Sequence, residues 1–195
     1  MATGRSFTLS EIARRLDVPQ HRLIHLCEKG VVVPDVHGAA GRGSSRVFSA
    51  RNFLELAVAL RLRDMMLPVA AVGAVVHVLR AFEERLQQDL HHFDLADSLR
   101  EDRAPDLRVI ISDGQTIYFS LGAAGKQLKL FGGIPLERLQ GDAPAWDGQI
   151  DALRSPGNAP NGAGGLGPEH SQYGRLELSV TAIAQALPID KEHPR

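Results

Sequence analysis

A single cysteine, Cys27, gives this chain of 195 residues no internal disulfide, so an apolar core has to hold the fold. Aromatic residues make up only 5% of the chain, and beyond residue 105 they are Tyr118, Phe119, Phe131, Trp146 and Tyr173, too few to line a roomy aromatic pocket. No apolar run approaches the roughly 18 residues of a membrane span, and Met-Ala-Thr-Gly-Arg does not open a secretory signal. The chain is therefore expected to be soluble and cytoplasmic, with no membrane partner. Catalytic chemistry is scarce as well. No nucleophile–base pair stands out, and Gly122-Ala123-Ala124-Gly125-Lys126 lacks the first glycine and the Ser or Thr of a phosphate loop. His21 and His25 lie one helical turn apart without a carboxylate or cysteine to complete a ligand set, while the adjacent His91 and His92 point in different directions. Neither an enzyme nor a cofactor or metal site is expected.

What is present is an uneven distribution of charge. Residues 1–66 hold 10 Lys+Arg against 6 Asp+Glu, a net of +4; residues 67–195 hold 12 against 17, a net of −5, which returns the overall −1. A basic head on an acidic remainder suits a nucleic-acid module joined to a part that avoids DNA.

The head is the most legible stretch. Thr8-Leu9-Ser10-Glu11 has the form of a capping box and starts a helix whose stripe is Leu9, Ile12, Ala13 and Leu16, with Arg14 and Arg15 off that stripe. Asp17-Val18-Pro19 breaks the pattern, and proline suits the first turn of a second helix. There Leu23, Leu26 and Cys27 face the core, Gln20, His21, Arg22 and His25 remain outside, and Gly30 ends the helix. The loop from Asp35 to Arg46 contains GAAGRGSSR, where glycines let backbone approach a phosphate and Arg42 and Arg46 bring charge. Val47-Phe48 has strand character. Ser49 caps a third helix with a core face of Phe53, Leu54, Ala57, Leu60 and Met65.

Phe7-Thr8-Leu9-Ser10-Glu11-Ile12-Ala13, Leu23 to Val33-Pro34, and Ser45-Arg46-Val47-Phe48-Ser49 resemble the winged helix-turn-helix domain of MerR-type transcription regulators, over about residues 6 to 80. The resemblance implies double-stranded DNA as partner. It places DNA contacts on Gln20, His21, Arg22 and His25 in the recognition helix, on Arg42 and Arg46 in the wing, and on Arg61 or Arg63 farther on. Where the family usually has Arg-Tyr-Tyr-Glu, this chain has Ile24-His25-Leu26-Cys27. The family's sensing cysteines after the dimer helix have no counterpart here.

From Pro68 to about Leu99 the pattern is helical, apolar nearly all round at first and then a seam of Val75, Leu79, Phe82, Leu86, Leu90 and Phe93. That seam serves either helix pairing between chains or packing within one, and the resemblance, whose family pairs through this helix, favours a homodimer. Arg100 to Pro105 reads as a linker. LRVIISDGQTIYFSLG is a hairpin around Asp113-Gly114, KQLKLFGGIPLERL a third strand bent at Gly132-Gly133, and residues 141–170 a mobile loop. A strand around Leu176–Leu178 and a helix from Thr181 to Leu187 close the chain.

The expected fold is α+β: a winged helix-turn-helix over 6–67, a long connecting or dimerisation helix over 68–100, and a small mixed α+β domain over 106–190. As function, a DNA-binding regulator whose tail senses a small-molecule effector or binds a protein is expected. The alternative is an antitoxin-like protein that binds its own promoter and covers a protein partner with 106–190, and a third reading is an architectural DNA protein. In the two-part picture, a chain truncated near Glu101 keeps its dimer and its DNA binding.

Overall fold

The computed structural model describes residues 5–35, 46–89, 93–114, 116–123, 126–135 and 174–189. The fold is mixed α+β. Strand β1 (Ser6–Thr8) leads into helix α1 (Leu9–Arg15), which Thr8 caps by accepting from the Glu11 N–H at 3.2 Å. Only half of the capping box forms, because the Glu11 carboxylate turns to Arg15 at 2.6 Å. Helix α2 (Gln20–Glu28) follows Pro19. It ends at Gly30, whose φ of 69° is the left-handed value that glycine adopts without cost. Two bonds close this end: the Gly30 N–H donates to the Cys27 carbonyl and the Val31 N–H to the Leu26 carbonyl.

Strand β2 (Val47–Ser49) returns antiparallel to β1 with Phe7 opposite Phe48. Three residues are too few for β1 to announce itself in the sequence. Helix α3 (Ala50–Asp64) starts on Ser49, which accepts from the Asn52 N–H. It is buried without a break from Asn52 to Leu60 and again at Leu62, a helix covered on every side. Met65 lies just past its end and is exposed, not core as the periodicity suggested, because the helix stops one residue earlier.

Helix α4 (Val69–Asp89) packs on α3 through its apolar first half, as its composition predicts. It does not run on to Leu99. Asp94 opens a separate short helix, α5 (Leu95–Ser98), by accepting from the Asp97 N–H at 2.9 Å, and α5 packs against α3. The described part of the expected seam therefore faces inward: Val75 and Leu79 are buried in the chain's own core, and Phe82 and Phe93 pack against it. The side chains of Leu86 and Leu90 lie outside the described residues.

Strands β3 (Asp106–Ser112) and β4 (Thr116–Ala123) form the expected hairpin, with Asp113 and Gly114 at φ 53° and 67°. Strand β5 (Lys126–Pro135) adds to β4, and the register shifts opposite Gly133, where the bend was expected. Strand β6 (Arg175–Ser179) pairs with β3, giving the antiparallel order β5-β4-β3-β6, and helix α6 (Val180–Ala186) follows, capped by Ser179. The expected loop over 141–170 lies outside the described residues.

The sheet is not a separate lobe. Helix α6 packs on both β3 and α3, and one apolar core runs from Phe7 through α3 and α4 to Leu107, Val109, Val180 and Ile189. The Thr181 hydroxyl ties β3 to α6 by accepting from the Leu107 N–H and donating to the Pro105 carbonyl, both at 2.8 Å. From the head, the Arg15 guanidinium lies over the Phe7 ring and donates to the carbonyls of Pro188 at 2.5 Å and Ile189 at 3.1 Å. The division at residues 100–105 marks a linker in sequence but not a break in packing.

Met66 sits at φ 67° with 86% of its surface exposed, so it bears the left-handed steric cost with little packing in return. Met66→Gly is expected to stabilise the chain by about 1 kcal/mol, read as a higher urea midpoint at constant slope.

Candidate nucleic-acid interface

Helix α2 presents two faces because its residues recur at 3.6 per turn. Leu23 and Leu26 are buried, whereas Gln20, His21, Ile24 and His25 are exposed. Cys27, expected on the core side, is half-buried and packs against the core. Burial pushes its thiol up, with the charge of Arg46 working the other way. A neutral thiol in that setting is a small packing group. The Arg46 effect also places that guanidinium near the second half of α2, at the start of β2.

His21, Arg22, His25 and Arg63 line one groove of about 230 Å³ between α2 and the end of α3, with Leu26 and Leu60 as its floor. Four of the eight expected contacts thus come together. Two of these four already have internal partners. Arg22 pairs with Asp64 at 2.5 Å, and Arg63 donates to the Leu67 carbonyl, bridging the turn from α3 to α4. An exposed pair such as Arg22–Asp64 stabilises by well under about 1 kcal/mol, so a phosphate can displace it at small cost. Gln20 is exposed at the start of α2, and Arg46 is exposed beside the groove's helix. Arg61 is exposed too, but it lines a different cleft. Arg42 lies outside the described residues. Among the described residues no cluster of three His, Cys, Asp or Glu is placed to hold a metal.

Behind the groove stands a buried polar network absent from the sequence reading. Asp35, where the expected wing leaves the head, accepts from the Ser49 hydroxyl at 2.7 Å and from Arg51 at 2.9 Å. Burial works against the Asp35 charge, yet the hydrogen bonds from Ser49 and Arg51 outweigh it and hold the carboxyl below the usual range. Asn52 accepts from the Asp35 N–H at 3.0 Å and donates to the Val33 carbonyl at 3.2 Å and to Glu55 at 2.9 Å. Asp35 is thereby tied to Ser49, Arg51 and Asn52 around the start of α3. The available signal was compositional, with Glu55 standing inside the apolar run Phe53 to Leu60 and Arg51 one turn before it.

The network continues to Glu83 on α4, which is 2% exposed. One of its oxygens accepts from the Leu95 N–H at 3.0 Å and pins α5; the other lies 3.7 Å from Arg51, with no hydrogen bond. Burial pushes this carboxyl up to about 7, against the Leu95 bond and the Arg51 charge. A carboxyl raised in the folded state penalises folding once it must ionise. The penalty is absent below the ordinary value of 4.5, grows as pH rises and is complete above about 7. Between about pH 5 and pH 8 the chain should lose about 2–3 kcal/mol of stability to this group, and Glu83→Gln should flatten that slope in urea titrations.

No helix among the described residues is long and apolar enough to cross a membrane. No protein-family model matches the chain, and no curated protein matches it. The functional reading therefore rests on the groove and on the order of elements around it.

Proposed function

We propose that this protein is a DNA-binding transcription regulator of winged helix-turn-helix type. The observation that carries the reading is the α2 groove: His21, Arg22, His25 and Arg63 converge beside a helix that follows a tight turn after α1. A helix with exposed Gln and His at its first turns fits a major groove, where such side chains meet base edges, while the arginines meet phosphates. The segment between Asp35 and Arg46 is assigned to the wing, and the bonds of Asp35 with Ser49 and Asn52 hold the point where it leaves the head.

Arg46→Ala is expected to weaken binding to every duplex alike and to lower the salt slope by about one unit. Anisotropy titrations over a range of salt measure both. An unchanged affinity with an unchanged slope would remove the wing from the reading. Pairing of two chains is part of the proposal, since two heads on one duplex read a two-fold site. Sedimentation of the unaltered protein as a monomer would end that clause.

A further inference from the structure

An opening of about 740 Å³ lies where the C-terminal part meets the head. The α1–α2 turn, α3, β6 and α6 all contribute to it. Its volume is within the ~300–1,000 Å³ range of sites for small organic ligands. Leu16, Val18, Leu60, Leu178, Ile183 and Leu187 make most of its lining apolar.

The polar groups decide what would fit. Of three carboxylates on the lining, Asp64 is neutralised by Arg22, and Glu177 by Arg108 at 2.6 Å and Arg175 at 2.7 Å. Asp17 is exposed in the turn on a short stem that keeps its charge in water. Of the two cations, Arg15 is engaged by Glu11 and by the carbonyls of Pro188 and Ile189. Arg61 has no ion-pair partner among the described residues, and its long side chain can reach across the opening. We propose that this cleft binds a small organic acid with an apolar body, the carboxylate held by Arg61 and the body lying on Leu60, Leu178 and Ile183.

The placement gives such a ligand a hold on the head. Leu60 lines both the cleft and the α2 groove, and Asp64 on the cleft wall holds Arg22 in that groove. Through that link a bound acid is expected to change DNA affinity; this clause alone rests on the function proposed above.

The test uses the full chain, with dansyl-undecanoic acid as fluorescent probe and its methyl ester as the uncharged control. The acid should bind saturably and about tenfold tighter than the ester, the effect of one charge-assisted hydrogen bond. Arg61→Ala should erase that preference, and Arg61→Lys should retain part of it. Ala182→Trp and, independently, Ala186→Trp, both at exposed positions on the wall, should weaken acid and ester alike with unchanged circular dichroism. Equal binding of acid and ester, a preference that survives Arg61→Ala, undiminished binding in both tryptophan variants, or no saturable binding would each overturn the proposal. Should the probe behave as expected while the protein binds no duplex, the cleft assignment stands and the DNA reading falls.

Discussion

Arg80→Ala should destabilise the protein by about 3–5 kcal/mol, the cost of leaving one member of a buried ion pair alone. Glu55 is only 3% exposed, and Arg80 grips both its oxygens, at 2.9 Å and 2.7 Å. Without Arg80 the carboxylate keeps a single side-chain donor, Asn52 at 2.9 Å. It must then stay charged in a poor solvent. The double change Glu55→Leu with Arg80→Met removes both charges and keeps the volume, and should recover most of the loss. Urea unfolding of the three proteins measures this directly. A double variant as weak as the single one would mean that the pair matters for its packing and not for its charge.

A chain truncated after Glu101 should fail to fold as an independent head. Helix α3 is buried on all sides, and one of those sides is covered by α6. Truncation uncovers that face and removes the carbonyls of Pro188 and Ile189 from Arg15, leaving a half-buried guanidinium with Glu11 alone. Exposing core of this kind favours aggregation over a smaller folded unit. Circular dichroism should show weakened helix content without a cooperative thermal transition, and duplex binding should be lost. A truncated chain that melts cooperatively would show that the head folds by itself and that the shared core is a docking surface.

What the sequence made legible was local. Thr8, Pro19, Gly30, Ser49 and Asp113-Gly114 each act within four residues, through a cap or a backbone angle, and each marks the boundary it was read to mark. Asp94 carried the same kind of signal as Thr8, but an apolar rhythm read through Leu90 and Phe93 hid the end of α4. What stayed hidden was long-range. Periodicity assigns Val75 and Leu79 to an apolar face without saying whether that face meets the same chain or another. Arg15 was readable only as lying off the α1 stripe, because the carbonyls that meet it are 173 and 174 residues away. For the interface, the exposed face of α2 was readable from spacing alone. The pairing of Arg22 with Asp64 depends on how the helices cross.

The central claim is that the α2 groove reads double-stranded DNA. Selection of bound molecules from a pool of random-sequence duplexes tests it without assuming any promoter. Enrichment of a short motif with inverted-repeat symmetry is the predicted result, and it should be lost when His21 and His25 are both replaced by alanine while weak, salt-dependent binding persists. A pool that stays random, from a folded protein that shows no salt-dependent affinity for duplex, would contradict the account.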